Sequence, residues 1–367
     1  MINGNSEDRE PEELKDAEFV QDDHNESPPS DIVAFNELRS CADLYRMHLE
    51  KSLDIAPDFQ REFVWPAADQ TRFIDSLVKQ LPIPSLCLAF DYKTDRYIVI
   101  DGLQRLSTII RFLSGDDWKL SSLDDIDPLL GGKHAASIKN DKGKLRSYFD
   151  RIQNRTLPLN VLRCDFSKRA HMEYIFTIFH RLNSGGVKLT NQEIRNSVFS
   201  GAFNELLQKL DNEPNWRKVN RMEPGKKYRL VKQEIILRFF AFLDNRASYG
   251  GQIAKFLNKY MFDNRHADEV WLQAKRETFD RVLKILGEKI FLKAPADRLP
   301  TSLLESVLVG IAVNLDRLEL LPIDELQAKF ATLQNSEEFV GEDVAEGLSK
   351  KDKVTRRFDR AVQIFAA

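Results

Sequence analysis

The sequence contains few of the residues that build metal centres and disulfide frameworks. Its three cysteines and six histidines are scattered over 367 residues. No cysteines are spaced as CxxC and the histidines form no ligand pattern, so the sequence predicts neither a zinc site nor a disulfide scaffold. A nuclease of the HNH type is excluded for the same reason. A P-loop NTPase is also excluded, because no GxxxxGK[ST] segment occurs.

Long apolar runs are absent as well. No segment reaches the length of a transmembrane helix, and residues 1–31 are acidic and polar, unlike a signal peptide. We therefore expect no membrane partner. Scattered, unpaired cysteines are typical of a reducing compartment, so we predict a cytoplasmic protein. The remaining composition, 42% hydrophobic and 30% charged, is that of an ordinary globular chain.

Charge is divided unequally along the chain. Residues 1–30 hold ten acidic and two basic residues, a net charge of −8. Since the whole chain carries −3, the remainder carries +5. The composition predicts a disordered acidic tail over residues 1–30. The mildly basic remainder is compatible with a nucleic-acid partner.

The stretch Tyr97–Leu113, YIVIDGLQRLSTIIRFL, organises the rest of the chain. Its β-branched start predicts a buried strand. Leucine and isoleucine then recur at helical spacing, which predicts a helix with one apolar stripe. Between strand and helix, Asp101 is a good N-cap and Gly102 permits a sharp turn.

Three polar residues lie off the apolar stripe near the start of this helix: Gln104, Arg105 and Thr108. A strand, a tight turn, an open helix N-terminus and an arginine together indicate a phosphate site. The alternative is an ordinary Asp-capped helix on which Arg105 is a solvated surface residue. The residues alone leave both interpretations open.

Three spaced motifs resemble one protein family. Asp101–Leu113 resembles the DGQQR signature in the N-terminal domain of GmrSD-type, modification-dependent restriction endonucleases. Asp58–Trp65, DFQREFVW, resembles the first motif of that family, and Phe179–Asn196, FHRLNSGGVKLTNQEIRN, resembles its F-x-R-L-N-x-G-G motif. One position departs, because Leu103 stands where the signature has its first glutamine.

This resemblance implies an α+β fold: a ParB/sulfiredoxin-like N-terminal domain that binds nucleotide at the loop–helix turn, followed by a mostly helical C-terminal domain. The implied cofactor is an NTP, with Mg²⁺ near Asp101 as an option. The implied catalytic residues are Asp101, Gln104 and Arg105. The implied nucleotide-binding residues are Arg61, Gly102, Gln104, Arg105, Thr108, Arg181 and Asn183. Leu103 removes one contact of the signature, so the resemblance supports binding more strongly than hydrolysis.

Several of these residues also have a purely structural interpretation. Arg61 is equally well explained as a surface arginine beside a core tryptophan. Arg181 and Asn183 suit the end of a helix, where a basic residue offsets the helix dipole and asparagine tolerates the turn. Glu193 follows Thr190 by three residues and predicts a capping box rather than a catalytic group. Arg195 is compatible with either role.

Three basic stretches are candidates for DNA contact: 133–155, 216–232 and 350–360. Trp216–Lys232 is the best of them, because Trp216 and Tyr228 are interleaved with its charges and offer base stacking. The alternative is a solvated charged face. The predicted DNA-binding residues are Arg217, Lys218, Arg221, Lys226, Lys227 and Arg229.

Apolar periodicity predicts the remaining elements. We expect a helix over Phe35–Ser52, an extended segment over Ile55–Trp65, a helix starting at Pro66, a hairpin from Ser85 to Ile100, and a strand over Thr156–Cys164. Further helices are predicted at Ala170–Leu182, Gln233–Leu243, Gln252–Phe262, Ala267–Leu286, Leu303–Leu315 and Asp324–Leu333. The domains are then 31–167, ParB/sulfiredoxin-like and nucleotide-binding, and 168–367, helical.

Two functional hypotheses follow. The first is a nucleotide-binding, NTP-hydrolysing, DNA-associated module of an anti-phage or restriction system that acts with a separately encoded nuclease. The second is a non-catalytic DNA-binding or regulatory adaptor with the same fold. In either case we expect no DNA cleavage by the isolated chain, because no compact cluster of metal ligands or general bases is visible.

Overall fold

A computed structural model describes residues 28–55, 65–182, 189–222, 230–292, 299–340 and 348–367. The chain forms two compact units, an α/β unit at Glu26–Leu189 and a helical unit at Thr190–Ala367. The sequence predicts the boundary between 167 and 168, one helix earlier than the structure has it. The predicted acidic tail lies almost entirely outside the described residues.

The α/β unit is built on a mixed five-stranded sheet with strand order β1-β5-β3-β4-β2. Its strands are β1 Val33–Ser40, β2 Leu53–Asp54, β3 Leu86–Asp91, β4 Arg96–Asp101 and β5 Thr156–Cys164. Strands β1 and β5 are antiparallel, and so are β3 and β4. Strand β3 runs parallel to β5, and β2 runs parallel to β4. The predicted hairpin of β3 and β4 and the predicted strand β5 are confirmed.

Six helices accompany the sheet in the described residues of this unit: α1 Cys41–Leu49, α2 Ala67–Val78, α3 Leu103–Ser114, α4 Ala135–Asn140, α5 Lys144–Gln153 and α6 Arg169–Leu182. The apolar faces of α1, α2, α3 and α5 share one core with the sheet. Helix α6 packs against β4. The predicted helices at Pro66, Leu103 and Ala170 are confirmed, and Pro66 is the N-cap residue of α2.

The predicted helix over Phe35–Ser52 is wrong in its first part. Residues 33–40 form strand β1, which pairs over its whole length with residues 156–163 of β5. Ser40 then caps α1, since its side chain accepts a hydrogen bond from the Asp43 backbone N–H at 3.0 Å. The partner strand lies more than a hundred residues further along the chain, so local periodicity did not reveal the pairing. Most of the predicted extended segment at 55–65 lies outside the described residues.

The helical unit confirms all five helices that periodicity predicts beyond residue 230. Its described helices are α7 Asn191–Val198, α8 Ala202–Asp211, α9 Pro214–Val219, α10 Val231–Asn245, α11 Ile253–Asn264, α12 Glu269–Lys284, α13 Thr301–Val313, α14 Leu315–Leu318, α15 Ile323–Gln334 and α16 Lys351–Ala366. A π-helical turn, Ile285–Ile290, follows α12 directly. Within the ranges that the structure describes, no helix is both long enough and apolar enough to cross a bilayer.

Candidate functional site

The turn between β4 and α3 depends on a glycine. Gly102 has a φ of +91°, in the left-handed region that side chains disfavour. A Cβ at this position would lie 2.2 Å from Leu86 Cδ2. The Leu86 side chain of strand β3 would have to move to admit a Cβ, and the positive φ disfavours any residue other than glycine at this turn. This explains why the sequence has glycine at this position of the DGLQR segment.

Asp101 does not cap α3, contrary to the prediction. Gly102 occupies the cap position, and α3 has no side-chain cap. The Asp101 carboxylate instead accepts a hydrogen bond from Arg105, with Oδ2 and Nη2 2.8 Å apart. Because Asp101 lies one residue before the cap position, its carboxylate reaches the side chain that is one helical turn further along.

Arg105 is held by the protein on two sides. Besides its ion pair with Asp101, its Nη1 donates to the backbone oxygen of Pro84 at 2.5 Å. Only 13% of its side chain is exposed, so it is not the solvated surface residue of the alternative interpretation. Arg105 ties the turn to the segment that precedes β3, and in this arrangement it positions the turn.

A chain of hydrogen bonds connects Gln104 to the other end of α3. The Trp65 backbone N–H donates to Gln104 Oε1 at 3.0 Å, and Gln70 Nε2 donates to the Trp65 oxygen at 2.6 Å. Gln70 Oε1 in turn accepts from Arg111 Nη1 at 3.0 Å. Trp65 is thereby fixed through its backbone by two glutamines. One of these glutamines belongs to the DGLQR segment.

The polar face of α3 borders a cleft of 520 Å³. Thr108 lines it, although its hydroxyl already donates to the Gln104 backbone oxygen at 2.7 Å. The other polar side chains of the lining are Tyr45 and His48 from α1, Gln70 from α2, Gln104, Ser107, Arg111 and Ser114 from α3, and Asp116 just beyond α3. The cleft offers hydrogen-bond donors and acceptors from three helices and one cationic group, Arg111.

The predicted site residues are brought together only in part. Gln104 and Thr108 line the cleft, whereas Gly102 and Arg105 shape the turn beside it. Arg181 is exposed in the last turn of α6. Arg61 and Asn183 lie outside the described residues.

Sequence reasoning missed Arg111. It lies on the same helical face as Gln104, seven residues further along, so the signal was the periodicity of the polar face. Thr108, the last polar residue that the sequence predicts on this helix, lies about one turn before Arg111.

The third motif continues into the helical unit, where its residues are structural. Glu193 and Thr190 form the predicted capping box: the Thr190 N–H donates to Glu193 Oε2 at 2.6 Å, and the Glu193 N–H donates to Thr190 Oγ1 at 3.3 Å. Arg195 is 1% exposed and donates to Asn258 at 2.8 Å and to Glu234 at 3.0 Å. Its two possible roles are thus resolved in favour of the structural one.

The predicted stacking role of Trp216 is wrong. Its side chain is fully buried, and its ring lies 5.4 Å from that of Phe279. Its indole N–H donates to Asp211 at 3.3 Å. Arg217 is half-buried and donates to Asn212, whereas Lys218 and Arg221 are exposed. The remaining predicted DNA-contact residues, together with Tyr228, lie outside the described residues: Lys226, Lys227 and Arg229.

Two basic side chains of the stretch 133–155 donate hydrogen bonds to backbone carbonyls at the ends of neighbouring helices. Lys139 donates to the Leu113 and Ser114 oxygens at the end of α3. Arg151 donates to the Val78 oxygen at the end of α2, at 2.9 Å. Cationic side chains satisfy free carbonyls at helix C-termini in this way. These charges therefore have a structural explanation.

No metal centre was found in the described ranges, because no three or more His, Cys, Asp or Glu side chains are grouped there as ligands. The cysteines Cys41, Cys87 and Cys164 are free and buried. Burial raises the pKa of Cys87 to about 11 and the pKa of Cys41 and Cys164 to about 12. Neutral buried thiols of this kind are poor nucleophiles.

Comparison with known families gives one match. Residues 42–200 match the family model described as GmrSD restriction endonuclease, N-terminal domain. No curated protein and no solved structure matches the chain. The matched range contains all three motifs and every side chain that lines the cleft. Residues 42–200 therefore resemble the N-terminal domain of GmrSD restriction endonucleases, as the three motifs predict.

Proposed function

We propose that this chain is the nucleotide-binding component of a restriction or anti-phage system, that it associates with DNA, and that a separately encoded nuclease cuts the DNA. The proposal includes the ParB/sulfiredoxin-like character of the α/β unit. It is supported by the match of residues 42–200 to a restriction endonuclease domain and by the three motifs within that range.

The cleft beside α3 is the observation that carries this proposal. Its 520 Å³ lie within the size range of small-molecule sites, which is about 300–1,000 Å³. The helix that the DGLQR segment opens supplies one wall, with Gln104, Ser107 and Thr108 facing the space. Hydroxyl and amide groups can fix the orientation of a ribose or base, and a cation can bind the phosphates.

Hydrolysis of the nucleotide is the more demanding part of the proposal. Asp101, Gln104 and Arg105 are the proposed catalytic group, with Mg²⁺ as a possible cofactor near Asp101. The ion pair between Asp101 and Arg105 would have to open or widen for either side chain to contact phosphate or metal. Because the Asp101–Arg105 ion pair keeps both side chains occupied, it favours nucleotide binding without hydrolysis.

A regulatory adaptor without hydrolysis is therefore kept as the second candidate. Leu103 favours it, because its side chain packs against the core of the α/β unit. The first glutamine of the family signature is thus replaced by an apolar contact that offers nothing to a nucleotide. An adaptor would bind nucleotide as a signal and pass the result to its nuclease partner.

DNA association is proposed for the basic stretch that follows α8. Lys218 and Arg221 are exposed there, and Arg217 is half-buried. Backbone neutralisation by such residues is electrostatic and depends on salt. Since Trp216 is buried, the proposed contact no longer includes base stacking by this residue.

The experiment is a titration of the full chain with ATP, GTP, CTP and UTP in a calorimeter, followed by a phosphate-release assay with and without DNA. We expect saturable binding of at least one nucleotide. Binding with phosphate release supports the NTPase, and binding without release supports the adaptor. A chain that binds none of the four, with or without Mg²⁺, overturns the proposal.

The absence of nuclease activity is tested separately. The purified chain is incubated with plasmid or modified phage DNA, nucleotide, and Mg²⁺ or Mn²⁺. We expect no nicking, because hydrolysis of a phosphodiester needs a positioned metal or general base. Nicking that is lost in Asp101→Ala would contradict this and make the chain a complete nuclease.

A further inference from the structure

Arg111 differs from most other half-buried arginines of the α/β unit in its surroundings. Its guanidinium lies 4.8 Å from the centre of the Trp118 ring and donates one hydrogen bond, to Gln70. In the part of the chain that the structure describes, no carboxylate lies within the 4.0 Å of an ion pair, and its other N–H groups have no protein acceptor. A guanidinium carries five N–H donors, so most of its hydrogen-bonding capacity is unused.

We propose that Arg111 is the phosphate-recognising residue of the cleft and that its ligand is the polyphosphate chain of a nucleotide. This inference rests on the proposed function and deepens it, because it assigns the anion contact to a residue outside the DGLQR segment. Arg111 lines the cleft directly. Its planar, permanently charged group can bind phosphate oxygens through two parallel hydrogen bonds.

The neighbours of Arg111 fix the position of its guanidinium. Trp118 supports one face of the guanidinium, and Gln70 fixes its Nη1 at 3.0 Å. The acidic side chain in the cleft lining is Asp116, which is exposed and forms no ion pair with Arg111, although its charge raises the pKa of Arg111 from a longer distance. Partial burial lowers the pKa of Arg111, because the surroundings solvate its charge less well than water does. An arriving phosphate would place a counter-charge in direct contact with the guanidinium.

Arg105 is less suited to this contact. Its two terminal nitrogens already donate to Asp101 and to the Pro84 oxygen. A phosphate would have to displace a carboxylate that is already in place, whereas at Arg111 no ion pair would have to open. The two arginines therefore have different roles: Arg105 fixes the turn between β4 and α3, and Arg111 binds the ligand.

The test uses three cleft variants of the full chain and one control. Arg111→Gln removes the charge. Ser107→Glu keeps Arg111 but places a carboxylate one turn before it on the cleft lining, where it can pair with the guanidinium. Ser107→Gln introduces a side chain of nearly the same volume as glutamate, but without the charge. Arg146→Gln removes an exposed arginine of α5 that lies outside the cleft.

Each variant is titrated with the nucleotide that the wild type binds, with tripolyphosphate and with the corresponding nucleoside, and its melting temperature is measured. We expect Arg111→Gln to weaken nucleotide and tripolyphosphate binding roughly tenfold or more, as charge-assisted hydrogen bonds do. Nucleoside binding should stay unchanged. Ser107→Glu should weaken nucleotide binding relative to Ser107→Gln, and Arg146→Gln should bind like the wild type.

The outcomes separate this inference from the proposed function. A wild-type chain that binds no nucleotide overturns both. If the wild type binds and Arg111→Gln binds equally well, Arg111 is not the phosphate contact, although the proposed function stands. If Arg111→Gln lowers the melting temperature strongly, the Ser107 pair decides: equal affinities of Ser107→Glu and Ser107→Gln overturn the inference, and weaker binding by Ser107→Glu supports it.

Discussion

Two arginines, Arg238 of the helical unit and Arg111 of the α/β unit, differ in how their charge is balanced. In the helical unit, Arg238 is 6% exposed and contacts Glu234 at 2.9 Å and Glu305 at 3.2 Å. Glu234 also pairs with Arg195, at 3.0 Å. In the α/β unit, Arg111 is half-buried beside a cleft and has a neutral amide and an aromatic ring as its partners. Carboxylates in contact balance the charge of Arg238, whereas Arg111 forms no ion pair and Asp116 acts on it only from a longer distance.

This difference shows how an arginine's partners indicate its role. Burial alone would lower the pKa of Arg238, but the charges of Glu234 and Glu305 outweigh burial and raise it. Its charge is therefore satisfied internally, and contact with a ligand would cost these interactions. At Arg111 burial prevails and the pKa is lowered. An arginine in that state gains from any anion that reaches it.

The comparison is tested most strongly by Glu234→Gln. The variant leaves Arg195 and Arg238 without their shared carboxylate, and we expect it to destabilise the protein by about 3–5 kcal/mol. Urea unfolding would measure this, with Glu205→Gln, an exposed glutamate of α8, as the control. A loss below about 1 kcal/mol would mean that the paired arginines are not structural, and the contrast between Arg238 and Arg111 would fail.

A second prediction concerns the turn that opens the cleft. Gly102→Ala requires a side chain at a φ of +91° and a Cβ 2.2 Å from Leu86 Cδ2, so we expect a loss of about 2–3 kcal/mol. Gly131→Ala is the matched control, because its Cβ would meet ordinary contacts at 3.6 Å or more. Equal thermal melts for the two variants would contradict the tight packing of the turn.

A smaller effect is expected for the ion pair within the DGLQR segment. Arg105→Ala removes the contacts with Asp101 and the Pro84 oxygen, and we expect a loss of about 1–2 kcal/mol. A double-mutant cycle with Asp101→Asn should show a coupling energy of about 0.5–1 kcal/mol, since Asp101 is partly exposed. Full additivity of the two substitutions would show that the ion pair contributes nothing, which would contradict the assignment of Arg105 to the turn.

Most helices were predictable because their apolar stripes are local signals. In α3 the leucine and isoleucine positions that define the stripe are buried, among them Leu106, Ile110 and Leu113. Strand β1 was not predictable in this way. Phe35 and Leu38 are three residues apart, as on a helix face, and only the distant strand β5 makes them a strand. Pairing between distant segments overrides such a local pattern.

The candidate site was predictable in its location but not in its contacts. The DGLQR segment identified α3 as the helix of interest, and its glycine has the predicted role in the turn. Which arginine remains free depends on Pro84 and Trp118, whose positions only the tertiary fold determines. Sequence spacing likewise gave Asp101 as the cap, although the helix begins one residue too late for that.

The smallest predicted effect concerns Asp165, a buried carboxylate whose ion-pair partner is partly exposed to solvent. Asp165 is 1% exposed, yet its partner Lys93, at 2.7 Å, is half in solvent. Burial alone would raise the pKa of Asp165, but hydrogen bonds from Lys93 and from the Ser167 side chain and backbone lower it to about 2, from an ordinary 3.8. Because this pKa is lowered in the folded state, the charged form stabilises the protein above about pH 4, and that contribution is lost as the pH falls towards 2.

Asp165→Asn should therefore reduce the free energy of unfolding near pH 6 by less than about 1 kcal/mol, because solvent screens the exposed lysine. The difference from the wild type should shrink between pH 4 and pH 2, where the wild-type carboxylate takes up its proton. Urea unfolding at a series of pH values would measure it, with Asp124→Asn, an exposed aspartate of the same unit, as the control. A difference that is constant from pH 6 to pH 2 would mean that the Asp165 charge contributes nothing.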